Sequence, residues 1–157
     1  MIFNIRFKNM IYLGSDHGGF ELKEKVKLWL TEWGYEFEDL GNLKLEQDDD
    51  YPEYAFAVAK KVAEDDEVNR GILICRSAVG MVIAANKIKK ARAAAVYDET
   101  MARLSREHNN ANIIGLSGDR LNDDQAKKII KIFLKTKFSG EARHRRRVFT
   151  IDKMYIK

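Results

Sequence analysis

One cysteine, Cys75, and one proline, Pro52, stand in a chain of 157 residues. A lone cysteine cannot staple its own fold or furnish a zinc cluster, so a disulfide framework and a structural zinc site are excluded, and a reducing, cytoplasmic setting is expected. No apolar run approaches the ~20 residues of a membrane span, and the opening residues MIFNIRFKNM lack the apolar stretch of a secretory signal. A soluble protein with no membrane partner is expected. No Ser/Pro/Gly-rich stretch divides the chain, and its length and 45% hydrophobic content suit a single domain over 1–157 with one continuous core. Surplus positive charge is absent from most of the sequence. The net charge is +4, and residues 141–157 alone hold four Arg and two Lys against Glu141 and Asp152, which leaves the rest neutral. That distribution speaks against nucleic acid as the partner.

What the chain does have is alternation of apolar runs with amphipathic stretches. A short run at Ile11–Leu13 breaks at Gly14, and from Phe20 the residues Leu22, Val26, Trp29, Leu30 and Trp33 recur at helical spacing, predicting a helix over about 19–33 with Gly34 as its stop. YEFEDLG alternates as a half-exposed strand does, and the polar NLKLEQDDDYP follows as a loop. Pro52 suits a first helical turn, and Tyr54, Ala55, Val58, Ala59 and Val62 give the next helix its apolar face. GILIC, ending at Cys75, reads as a strand buried on both faces, with a helix over 80–90. RAAAVYD and NIIGLSG are two further strands, separated by a helix over about 98–108 and followed by one over about 122–137. Strand then helix, five times over, predicts an α/β fold: a three-layer α/β/α sandwich on a five-stranded, mainly parallel, Rossmann-like sheet, with a C-terminal helical arm over 141–157.

In such sheets ligands sit beyond the carboxyl ends of the strands, where the winding reverses. If strands 2 and 3 flank strand 1, that crevice lies between GSDHGG and CRSAVG. Cys75 at the end of a core strand is either packing or chemistry, and a following helix N-terminus with Arg76 alongside would stabilise a thiolate. Asp16 and His17 are either a cap and an exposed turn residue or part of the same crevice. His108 and Asn109 read equally as a helix C-terminus. In ARHRRRV, Arg143 and Arg147 share one helical face at i, i+4 and form a fork suited to phosphate, whereas Arg145 and Arg146 point elsewhere.

Taken in order, GSDHGGFELK, DYPEYA, the strand–turn–helix from Gly71 to Lys87, SREHNNAN and ARHRRRV resemble the ribose-5-phosphate isomerase type B family, which also includes galactose-6-phosphate isomerase subunits. The resemblance runs from about Met10 through Val148. It implies an aldose–ketose isomerase for a phosphorylated sugar with no metal or organic cofactor, working as a homodimer or dimer of dimers with shared active sites. It implies Cys75 as the base between C1 and C2 and Ser77 as a hydroxyl-proton shuttle. Backbone N–H groups of the turn through Arg76, Ala78, Val79 and Gly80 would hold the enediolate. Asp16 with His108 would open the furanose ring, Tyr51 and Asn109 would touch the sugar, and His17, Arg143 and Arg147 would bind phosphate.

Three departures from the family pattern stand out. Arg76 and Ala78 occupy positions that are usually glycine, and LSGDRL holds one extra residue, which moves the loop arginine to Arg120 with Asp119 before it. Because a side chain at positive φ is strained, negative φ is expected at both Arg76 and Ala78. The sequence leaves two alternatives to ribose 5-phosphate isomerisation: the same chemistry on a six-carbon sugar phosphate, or a catalytically weak sugar-phosphate-binding protein. MIFNIRFKN, residues 1–9, is expected to be an extension ahead of the first strand.

Overall fold

The structure is a computed structural model, and it describes residues 9–154; residues 1–8 of the expected extension and the last three residues of the arm lie outside the described part. Five parallel strands form one sheet in the order β2-β1-β3-β5-β4. They are β1 (Met10–Ser15), β2 (Glu36–Asp39), β3 (Arg70–Cys75), β4 (Ala93–Ala95) and β5 (Ile113–Ser117). The helices between and after them are α1 (Phe20–Glu32), α2 (Tyr51–Glu64), α3 (Val79–Ala85), α4 (Glu99–Glu107), α5 (Asp123–Lys135) and α6 (Ala142–Lys153). A single 3-10 turn, His17–Gly19, leads into α1.

The continuous apolar strands follow from burial on both faces. Ile11, Leu13, Ile72, Ile74, Ile114 and Leu116 pack with Val26 and Leu30 of α1 and with Ile130 and Phe133 of α5. Their neighbours Tyr12, Leu73, Cys75 and Ile113 point the other way, onto Val58 and Val62 of α2 and Met81 and Ala85 of α3. Three layers result, as the sequence pattern predicts, and the reversal of winding at β1 and β3 opens the crevice at their carboxyl ends.

The helix expected over 80–90 stops at Ala85. Asn86 ends it by exchanging two hydrogen bonds with the backbone of Ala93, its Nδ2 donating to the carbonyl at 2.9 Å and its Oδ1 accepting the N–H at 2.8 Å. The chain then runs through tight turns, with Lys90 at φ +70°, into β4. α1, α4 and α5 lie within two residues of the expected limits, and α6 ends at Lys153 within the arm expected over 141–157.

Candidate active site

Three turns meet at the carboxyl ends of β1, β3 and β5. The Gly118 N–H donates to the Cys75 carbonyl at 2.8 Å, and the Asp119 N–H to the Arg76 carbonyl at 3.3 Å. Gly19 lies so close to β3 that a Cβ there would fall 2.2 Å from the Ile74 carbonyl oxygen, so only glycine allows the 16–19 turn to lie against the strand that ends in Cys75. Gly80 is covered in the same way by the ring of Tyr51, where a Cβ would come within 2.6 Å, and this seats Tyr51 at the start of α3. Cys75 is buried, while Arg76, Ser77 and Val79 are exposed around it. Tyr97 steadies the turn by donating its hydroxyl proton to the Ser77 carbonyl at 2.7 Å.

The expectation of negative φ fails at Ala78, which lies at φ +71° and ψ −28°. This position reverses the chain between β3 and α3, and its carbonyl accepts the first helical bond, from Val82 N at 3.2 Å. A fully buried methyl fits there because Gly115 of the neighbouring strand leaves the space. The left-handed conformation costs an alanine about 1–2 kcal/mol, so the turn keeps its shape at a penalty glycine would not carry. Arg76 has no positive φ, as expected.

Asp16 caps the 3-10 turn, its Oδ1 accepting from Gly19 N at 3.2 Å. Burial raises its carboxyl pKa above the ordinary value; Asp49 adds to the rise, while His17 and the N–H groups of Gly18 and Gly19 oppose it. His17 faces Asp49, whose Oδ1 accepts from Nδ1 at 2.7 Å and from the His17 backbone N–H at 3.1 Å. Among the described residues, Asp16, His17 and Asp49 are the one group with donor atoms close enough, within 4.8 Å of one another, to hold a metal ion, and in it Nδ1 of His17 lies 2.7 Å from Asp49 Oδ1. A cavity of about 340 Å³ opens beside these residues, lined by His17, Gly18, Lys25, Gln47, Arg76 and Asp119 among others.

His108, Asn109, Arg143 and Arg147 are not in this crevice. α4 runs back against the direction of the strands, so His108, which caps its C-terminus, stands at the start of β5, not the end. The Gly71 N–H binds the Asn112 carbonyl, which sets this loop four residues, or about 13 Å of strand, from Cys75. Two buried arginines hold the loop. Arg106 donates to the Ala111 carbonyl and to Asn110 Oδ1, and burial, with Arg70 and Arg92 nearby, lowers its pKa to about 10. Arg92 donates to the Asn110 carbonyl and pairs with Asp66 and with Asp152 of α6. α6 is fixed at its other end by His144, which stacks on His108 with ring centres 4.2 Å apart. Arg143 and Arg147 lie on the exposed face of α6, with Arg143 Nε 3.0 Å from Glu141.

The family model for ribose/galactose isomerases matches residues 11–151. The chain belongs to that family. It is 40% identical over 138 residues to the ribose-5-phosphate isomerase B of Mycobacterium tuberculosis, covering 88% of this chain and 85% of the other. Among solved structures, ribose-5-phosphate isomerase B from Mycoplasma genitalium with bound ribulose-5-phosphate superposes with a TM-score of 0.88 at 41% identity, over 91% of this chain and 93% of that one. The Thermotoga maritima ribose 5-phosphate isomerase gives 0.86 at 45% identity, over 92% and 97%. The isomerase family and its three-layer fold thus agree with the reading of the sequence. No helix among the described residues is long and apolar enough to cross a membrane. Sequence reasoning passed over Asp49, which looked like one more residue of an acidic loop; only its distance to His17 in space singles it out.

Proposed function

We propose that this isomerase interconverts ribose 5-phosphate and ribulose 5-phosphate in the cytoplasm through a 1,2-enediolate, with Cys75 as the base. The observation that carries the assignment of Cys75 is its place at the carboxyl end of β3, between the Asp16–His17 turn and the 76–80 turn. The thiolate takes the proton from C2 of the open-chain aldose and returns it to C1. Ser77 passes the hydroxyl proton between O1 and O2, and the N–H groups of the 76–80 turn hold the oxygen on which charge develops. Asp16 assists ring opening and Tyr51 meets the sugar. Binding the phosphate far from the reacting carbons supplies the energy for positioning them.

The remaining residues come from a second copy. His108 and Asn109 stand at the opposite end of the sheet from Cys75 within one chain, which supports a homodimer or dimer of dimers. In it His108 of the partner subunit meets Asp16, and the partner's Asn109, Arg143 and Arg147 close over the sugar phosphate. Mixing a Cys75→Ala protein with a His108→Ala protein tests this: heterodimers that retain one intact site regain activity, whereas a site confined to one chain stays inactive in every mixture. Assay of the purified protein with five- and six-carbon aldose phosphates, with and without chelator, tests the substrate. Ketose formed fastest from ribose 5-phosphate and unaffected by chelator is expected; turnover abolished by chelator, or greater on a six-carbon sugar, would overturn the reading.

A further inference from the structure

Behind His17 stand three polar side chains in series. Asp49 Oδ1 accepts both the Nδ1–H and the backbone N–H of His17, at 2.7 and 3.1 Å. Asp49 Oδ2 accepts from Asn42 Nδ2, and Asn42 Oδ1 accepts the hydroxyl proton of Tyr54. Lys23, fully buried, anchors the turn that carries Asn42, its Nζ donating to the Asn42 carbonyl and to Asp39 Oδ2, each at 2.6 Å. The series thus ties α1, the 39–50 loop and α2 to the ring of one histidine.

We infer that Asp49, oriented by Asn42 and Tyr54, is a positioning residue that fixes the rotamer and tautomer of His17 for binding the phosphate end of the substrate. The inference rests on the proposed role of His17 as a phosphate ligand. An ionised carboxylate only accepts hydrogen bonds, so the proton between the two residues belongs to Nδ1. The second bond, to the backbone N–H of the same residue, makes the grip two-point: turning the ring away breaks one contact while the other holds the carboxylate in place. Nε2 is left as the nitrogen available to a ligand, on a side chain 24% exposed beside the 340 Å³ cavity, while the Asp49 side chain is only 3% exposed. In the phosphate complex the ring donates Nδ1–H to Asp49 and Nε2–H to a phosphate oxygen, a cation held between two anions by charge-assisted hydrogen bonds. Without Asp49, the ring would be free to turn and to place its proton on either nitrogen.

The test uses full-length protein labelled with 15N-histidine, whose three histidines are assigned by single substitution. Wild-type His17 is expected to show the Nδ1–H tautomer, and Asp49→Ala to lose it. Asp49→Ala should also raise the KM for ribose 5-phosphate roughly tenfold or more, with kcat changed by less than about threefold. Asp49→Asn keeps one oxygen for both His17 N–H groups but loses the charge and sets its Nδ2 against that of Asn42, so it should fall between wild type and Asp49→Ala on both readings. Where Asp49→Ala does not fold, Asn42→Ala carries the test, with a KM increase of about threefold or more expected. An unchanged tautomer and KM in Asp49→Ala, or Asn substitution as damaging as Ala, would overturn the inference. Failure of the proposed function reads differently: wild type would not isomerise ribose 5-phosphate, and titration with inorganic phosphate would leave the His17 resonances unmoved.

Discussion

Arg76 and Asp119 lie with Nη1 and Oδ1 3.4 Å apart, which joins two of this chain's departures from its family's pattern: the arginine in a glycine position and the loop with an extra residue. Both side chains are more than half exposed, so the pair is worth no more than about 0.5 kcal/mol. Its consequence lies in shape. The Arg76 side chain crosses over Gly18, where even a Cβ would fall 2.4 Å from Arg76 Cγ. Arg76→Gly should lower stability by only about 1 kcal/mol, yet raise the relative kcat/KM for six-carbon over five-carbon aldose phosphates roughly severalfold. Identical preferences in the two proteins would show that Arg76 only decorates the rim.

Ala78 gives a test of strain. Ala78→Gly relieves about 1–2 kcal/mol of left-handed backbone cost but gives up a buried methyl and adds freedom to the unfolded chain, together of similar size. Its stability should therefore stay within about 1 kcal/mol of wild type, whereas Ala78→Val, β-branched at φ +71° in a filled space, should lose about 2 kcal/mol or more. Thermal unfolding of the two variants decides, and an Ala78→Val protein as stable as wild type would contradict the geometry.

Asp16 is held at a cost. Because burial raises its pKa, the native state binds this proton more tightly than the unfolded chain, and stability falls as pH climbs from the ordinary value near 3.8 through the raised one. Above that interval the penalty stays. Asp16→Asn keeps an oxygen to accept from Gly19 N–H and removes the charge, so its Tm should exceed that of wild type at pH 7 and converge with it below about pH 4. Turnover of the cyclic sugar should fall in the same variant. A Tm advantage that grew toward acid pH would carry the wrong sign.

The arginine fork separates a phosphate site from a diffuse basic surface. Arg147→Ala should raise the KM for ribose 5-phosphate by roughly tenfold or more, and Arg146→Ala by less than about twofold. Equal effects would assign the tail a general electrostatic role.

The parallel sheet was legible because its strands are continuous apolar runs and its helices carry one apolar face. Cys75, Asp16 and His17 were legible as neighbours for the same reason: topology puts the ends of β1 and β3 side by side. Lys23 was not legible. It sits among charged residues on α1 and reads as solvated, but Asp39 and the Asn42 carbonyl draw it into full burial. Asp49 was hidden in the same way, since His17, far away in the chain, decides its role. The left-handed Ala78 was not legible either: a local cost of about 1–2 kcal/mol argues against it in the sequence, and only the packing against Gly115 accommodates it.

The most direct test of the central claim is to follow ribose 5-phosphate by NMR in D2O with wild type and with Cys75→Ala. A base at Cys75 working through an enediolate predicts ribulose 5-phosphate that gains deuterium at C1 over repeated turnover, and a loss of about three or more orders of magnitude in rate for Cys75→Ala with its Tm nearly unchanged. Conversion without any deuterium, or undiminished conversion by Cys75→Ala, would contradict it.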